Sequence, residues 1–414
     1  AKVINMTNLS SFLLNFSRVE ALSLRKKNMA APSVSLQNLS ASFLLLSLFA
    51  GISAIAAPQP KRYPFKKIYA FGDSFTDTGN TLISRGSEMF TFVSNPPYGI
   101  TYFHHSTNRY SDGRLVIDFI AEALSLPFTP PYRRIKGVPP QGVNFAVAGS
   151  TAIQHSFFVK NNLSLDIVPQ SIGTQFSWFI DVLKKQGCNS SPPLNQNCKD
   201  SLSDALFWVG EIGANDYAYI VGSTVPNSTI RELALNSATS FLKAILSKGA
   251  KYVVVQGMPP TGCLTLSMAL SSPDDRDAMG CVGTLNKILG LHNSLYRERV
   301  KELAKQFPES TIVYLDYWNA YRAVVTNPGA YGFEEKFSAC CGAAGSEYNF
   351  DLFVTCGAPS SRWCNNPSKF INWDGIHLTE AMHRVLATMF LKGNFSDPPF
   401  SSLLRKKLKG GFSN

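Results

Sequence analysis

Short apolar runs alternate with longer helical stretches along this chain, and that alternation limits the fold more than any other feature. Ile68–Phe71, Val143–Ala148, Ala205–Val209, Tyr252–Gln256 and Thr311–Leu315 read as buried strands, and the first four run into a glycine. Leu115–Leu124, Thr229–Lys248 and Leu285–Gln306 carry helical periodicity, and His377–Leu391 reads as a final helix. Strands alternating with helices predict an α/β fold with a parallel sheet covered on both faces. Ligands of such sheets sit outside the carboxyl ends of the strands. With no internal repeat and no long linker, residues 60–396 read as a single domain, since α/β enzymes often run long without dividing.

The chain is 45% hydrophobic and 16% charged, which excludes a disordered protein. Its formal net charge of +11 raises the question of a nucleic-acid or anionic-lipid partner. Part of that charge lies in Arg25-Lys26-Lys27 and Arg405-Lys406-Lys407, the latter in a stretch, 397–414, that reads as a basic C-terminal tail. There is no basic helix interleaved with aromatics, no zinc-finger spacing and no RNA-binding sheet motif, so no nucleic-acid partner is expected.

A positive segment, a short apolar run at Phe43–Phe49 and the small residues Ala54–Ala57 give residues 29–57 the form of a secretory signal peptide. Met29 then reads as the natural start and 1–28 as an upstream, non-native extension. The alternative is an organelle transit peptide over 1–57, with Glu20 as its only acidic residue. The apolar run is too short for a membrane span. All eight cysteines follow the leader, and an even count fits an oxidising compartment. Cys188/Cys198 and Cys263/Cys281 enclose short loops that suit bridges; the remaining connectivity stays open. Asn162, Asn189, Asn227 and Asn394 each begin a glycosylation sequon. The expected location is extracellular, with the vacuole or another endomembrane compartment as the alternative and a plastid behind both.

The chemistry-bearing residues fall at strand ends. Ser74 follows the first strand in Gly72-Asp73-Ser74, where a tight turn projects its hydroxyl from the sheet edge. The plainer reading is a strand-to-helix connection capped by Ser74 or Asp77. The G-x-S-x-G nucleophile elbow is absent, which argues against the common lipase fold. A nucleophilic serine needs an imidazole base, and the base needs a carboxylate to fix its tautomer. Asp374-Gly-Ile-His377 supplies both at a loop-to-helix junction. His383 also has a carboxylate three residues before it, Glu380, but that pair falls within the last helix, where it reads as surface decoration. Developing negative charge needs hydrogen-bond donors. Gly213-Ala214-Asn215-Asp216 offers an amide after one strand, and Asn144-Phe145-Ala146 with Gly149 offers a backbone N–H after another. Either segment alone is equally readable as an ordinary turn.

Taken in order, Ser, Gly, Asn and Asp-x-x-His at separate strand ends resemble the plant GDSL esterase/lipase family of the SGNH hydrolases. Asn95–Gly99, Asn108–Arg114 and Cys340-Cys341-Gly342 are similar to it as well, and the likeness runs from Phe65 to about Leu391. The resemblance implies a flavodoxin-like three-layer α/β/α sandwich and a Ser74–Asp374–His377 triad. It further implies an oxyanion hole of the Ser74 N–H, the Gly149 N–H and the Asn215 side chain, with no metal and no organic cofactor. Asp73, Asp77, Gly213 and Asp216 are expected to support these groups. The implied reaction is hydrolysis of a small-molecule or lipid ester through an acyl-serine. Transfer of the acyl group to an alcohol is the alternative, and a catalytically silent scaffold is a third reading. Aromatic residues at Phe90–Phe92, Tyr98–His105 and Phe157-Phe158 either line an acceptor pocket or pack in the core.

Overall fold

The computed structural model describes residues 64–81, 92–163, 168–188 and 195–410. The expected leader, the Asn189 sequon and Phe90 lie outside the described residues. In chain order the strands are β1 (Lys67–Phe71), β2 (Gly142–Asn144), β3 (Ala205–Val209), β4 (Tyr252–Gln256), β5 (Thr311–Leu315), β6 (Glu335–Ala339), β7 (Cys341–Gly342), β8 (Arg362–Trp363), β9 (Phe370–Asn372) and β10 (Ser396–Asp397). The main sheet runs β10-β5-β4-β3-β1-β2, parallel throughout except for β10, which pairs antiparallel with β5. The order β2-β1-β3-β4-β5 is that of a flavodoxin-like sheet, and its topological switch lies between β1 and β3.

Period-two alternation sends successive side chains to opposite faces, and here both faces are covered. Tyr69 and Phe71 of β1 join a core with helices Ile172–Lys185, Asn227–Ser247 and Gly283–Gln306. Ile68 and Ala70 join a second core with helices Val116–Ala123, Tyr317–Thr326 and Glu380–Lys392. All five residues of β3 are buried, which explains its unbroken apolar sequence. The result is the expected three-layer sandwich. Truncating Phe71, stacked on Phe145 and edge-on to Phe241, would cost about 3–5 kcal/mol.

Three expectations need correction. The second strand stops at Asn144 rather than reaching Ala148. Backbone bonds from Phe145 to Ala70 and from Val147 to Gly72 continue past it, while the Asn144 side chain donates to the Thr76 carbonyl and accepts the Ala146 N–H, tying this segment into a local turn. The last helix starts at Glu380, capped by the Thr379 hydroxyl on the Met382 N–H, so His377 lies in the preceding loop. The stretch from 397 is not a free basic tail: β10 joins the sheet, and helix Phe400–Gly410 buries Phe400 and Leu403 completely. Its Lys407 pairs with Asp204, so part of the basic charge is tied to the body of the protein.

All eight cysteines are bridged: Cys188–Cys198, Cys263–Cys281, Cys340–Cys364 and Cys341–Cys356. The first two are the short loops suggested by spacing. The other two staple the lobe in which β6 pairs with β9 and β7 with β8. Of the aromatic residues noted in the sequence, Phe158 and Tyr98 are buried, whereas Tyr102 is 40% exposed.

Candidate active site

Ser74 stands just beyond β1 and Asn215 just beyond β3, one on each side of the topological switch. The segments after these strands are joined at their base, with the Gly210 N–H bonding the Phe71 carbonyl at 2.8 Å. The chain turns at Asp73, whose carbonyl accepts from the N–H groups of Thr76 and Asp77. Gln175, fully buried on helix Ile172–Lys185, clamps Gly72: its Oε1 accepts the Gly72 N–H at 2.9 Å and its Nε2 donates to the Gly72 carbonyl at 2.7 Å. The Ser74 N–H makes no hydrogen bond among the described residues, and neither does its hydroxyl.

Asp77 joins the Ser74 turn to the segment after β2. Its oxygens accept from the N–H groups of Gly79, Asn80 and Thr81, from the Thr81 hydroxyl, and from the Ala148 N–H at 3.0 Å. One residue later Gly149 takes a φ of 77°, a region costly for residues with a Cβ. Its carbonyl accepts the Tyr219 hydroxyl at 2.8 Å, while its N–H is unbonded among the described residues. Gly213, with φ of 128°, opens the short helix Ala214–Ala218 that carries Asn215 and Asp216. Asp216 accepts from the N–H groups of Ala152 and Ile153, both at 2.8 Å, locking this helix to the Gly149 segment. Burial pushes the Asp216 carboxyl up to about 7. The Asn215 Nδ2 donates to Asp73 Oδ2 and to the Ser150 carbonyl, each at 3.0 Å. A mainly apolar depression of about 370 Å³ meets this region at Ala152 and Gln154, and neither Ser74 nor His377 lines it.

The other half comes from the loop after β9. His377 Nδ1 lies 2.8 Å from Asp374 Oδ2 and 3.0 Å from Oδ1. Asp374 Oδ1 also accepts the N–H groups of Ile376 and His377, and Oδ2 accepts the Tyr98 hydroxyl at 2.8 Å. Burial alone would raise the Asp374 carboxyl, but the His377 imidazole and these donors hold it below the usual carboxylate range. The imidazole is sandwiched by Phe75, at 5.6 Å, and Tyr110, at 4.7 Å between ring centres. Phe75 is the residue after Ser74, so this tilted ring contact brings the two halves together. His377 Nε2 is buried and has no hydrogen-bond partner among the described residues. A carboxylate-held imidazole with an open Nε2 is equipped to take up a proton.

Glu380 and His383 are not surface decoration, as the sequence suggested. Both are buried: Glu380 pairs with Arg114 at 2.8 Å, and His383 is fully enclosed behind His377. Burial holds the His383 imidazole down at about 3, so it is neutral. Tyr98 was noted in the sequence within Asn95–Gly99 and the aromatic run Tyr98–His105, but not as a partner of Asp374; no local signal marks Gln175 or Glu211. Among the described residues no group of three or more His, Cys, Asp or Glu is arranged to hold a metal ion.

The family model described as GDSL-like lipase/acylhydrolase matches residues 68–390. GDSL esterase/lipase At3g48460 of Arabidopsis thaliana is 54% identical over 368 residues, covering 87% of this chain and 94% of the relative. GDSL esterase/lipase At1g31550 of the same plant is 37% identical over 382 residues, 88% of this chain and 94% of the relative. Sinapine esterase of Brassica napus is 37% identical over 376 residues, 89% of this chain and 95% of the relative. With its sheet order, its strand-end residues and these relatives in agreement, the chain belongs to the plant GDSL esterase/lipase family and is a carboxylic ester hydrolase.

Proposed function

We propose that the protein hydrolyses carboxylic esters at Ser74, with His377 as general base and then general acid and Asp374 as the carboxylate that orients it. The observation that carries this reading is the Asp374–His377 pair, which leaves Nε2 open beside the turn that bears Ser74. Ser74 Oγ attacks the ester carbonyl carbon while its proton passes to His377 Nε2. The carbonyl π pair moves to oxygen, and the oxyanion meets the Ser74 and Gly149 N–H groups and the Asn215 amide, which exchanges its bond to the Ser150 carbonyl for one to the oxyanion. Collapse expels the alcohol, protonated from Nε2, and leaves acyl-Ser74. Water repeats the sequence and releases the acid. Asp73, Asp77, Gly213 and Asp216 hold these groups in register.

Four disulfides support a secreted or endomembrane location. Asn162, Asn227 and Asn394 are exposed and open to glycosylation. No helix among the described residues is long and apolar enough to cross a membrane.

Fluorophosphonate labelling with peptide mapping, followed by turnover of p-nitrophenyl esters from acetyl to palmitoyl and of sinapine, tests the proposal. Adduct at Ser74 together with ester turnover is the expected result. Adduct without turnover favours transfer to an alcohol, and no adduct overturns the assignment.

A further inference from the structure

A second carboxyl lies beneath the Ser74 turn. Glu211 is on the segment between β3 and Asn215, and its side chain is completely buried. Neither of its oxygens has a well-placed donor among the described residues. The backbone of Glu211 packs against Gly72, the residue before Asp73, where the Gly210 N–H bonds the Phe71 carbonyl, and across this junction the Glu211 and Asp73 carboxyls interact. Asp73 is 1% exposed; its Oδ1 accepts the Phe75 N–H and its Oδ2 accepts the Asn215 amide, both at 3.0 Å. Two ionised carboxylates this close and this dry repel strongly, and neither can donate to the other. One proton between them removes the repulsion and makes the contact a charge-assisted hydrogen bond.

We infer that Glu211 is a positioning residue of the oxyanion site, sharing one proton with Asp73 and thereby fixing the carboxylate that aims the Asn215 amide. Burial pushes the Glu211 carboxyl well above its usual range, and Asp73 and Asp216 push it further. The phenols of Tyr296 and Tyr317 face the same pair and stay neutral, since burial raises both. The shared proton holds the pair at a single negative charge. That spares the developing oxyanion a second negative charge nearby and leaves Asp73 to hold the Phe75 N–H and the Asn215 amide. The inference rests on the roles given above to Ser74, Gly149 and Asn215.

The test compares Glu211→Gln and Glu211→Leu, each in the native background and with Asn215→Ala, using p-nitrophenyl acetate. Glu211→Leu should lower kcat by about 10- to 100-fold, a fraction of the roughly 10²–10³ lost when an oxyanion donor is deleted, with KM little changed. Glu211→Gln, whose amide donates to Asp73 as the shared proton does, should recover most of that loss. On the Asn215→Ala background Glu211→Leu should add little. Native kcat in Glu211→Leu, equal losses in both variants, or full additivity with Asn215→Ala would each overturn the inference. Infrared spectroscopy at neutral pH decides the matter if Glu211→Leu does not fold. A protonated-carboxyl band should be present in the native protein and diminished in Glu211→Gln; identical spectra sink the shared proton. A native protein without esterase turnover would sink the catalytic reading instead, and the infrared comparison would still report on the pair.

Discussion

Ser74, Gly149 and Asn215 are carried on segments that follow β1, β2 and β3, whereas Asp374 and His377 stand on a loop outside the main sheet. The first group inherits its placement from parallel strands whose ladders are buried on both faces. Its side-chain links, from Asp77, Asp216, Gln175 and Asp73, run mostly to backbone amides and carbonyls. The second group hangs from short β9 and is fastened by the Cys340–Cys364 and Cys341–Cys356 bridges. Around it lies a small core of Val93, Tyr98, Tyr110, Ala148 and Trp373. Hydrogen-bonded backbone aims the proposed donors, while disulfides and packed aromatics hold the proposed base. The two halves should therefore fail differently.

Ser74→Ala has the largest expected effect and should lower kcat by on the order of 10⁶ while leaving the melting temperature unchanged. Turnover near the native level would remove Ser74 from the chemistry. Asn215→Ala strikes the sheet-borne half and should lower kcat by about 10²–10³. A change confined to KM would take Asn215 out of the oxyanion site. Cys341→Ser with Cys356→Ser strikes the other half. Its bridge spans 15 residues, and its loss should cost about 3 kcal/mol. Heat inactivation should then precede loss of the far-ultraviolet dichroism of the sheet and helices; coincident transitions would show that the lobe and the sheet unfold as one.

Smaller effects sharpen the picture. Tyr98→Phe deletes one hydrogen bond to a charged group, worth about 1.5–3 kcal/mol, and should lower kcat by about tenfold or more. An unchanged kcat would show that Asp374 does not depend on the phenol. His383→Leu tests the base-side core through stability. The fold holds His383 neutral down to about 3, whereas the unfolded chain takes up that proton near its ordinary value of 6.5. Its stabilisation is therefore present above pH 6.5 and lost as pH falls toward 3. Replacing it should flatten the pH dependence of unfolding free energy between these limits by about 1.4 kcal/mol per pH unit. His292, held at about 3 by burial, supplies a similar slope that remains. An unchanged slope in His383→Leu would mean that His383 already titrates in the native state.

How much of this was legible beforehand follows the same division. The sheet-borne half could be read directly, because short unbroken apolar runs alternating with helices predict a parallel sheet, and the sheet places Ser74, Gly149 and Asn215 beyond the ends of its strands. Asp374 and His377 were readable as a pair because three residues of one loop separate them. Tyr98, Gln175 and Glu211 were not, since each reaches its partner from far away along the chain and has an ordinary local sequence. Glu380 and His383 were misread because an i, i+3 pair on an amphipathic helix does not reveal which face is covered. The same holds for 397–410, where a run of lysines concealed the two apolar residues that dock the helix.

The sequence by itself thus determined the layered α/β architecture, the identity of the strand-end residues and the pairing of Asp374 with His377. These depend on local periodicity, turn chemistry and short spacing, all of which are written along the chain. Only the tertiary structure decided which buried carboxyls meet, which tyrosine braces Asp374 and which disulfides hold the outer loop. Those are contacts between distant segments, and their energies come from burial and from the removal of water, neither of which exists until the chain has closed around them.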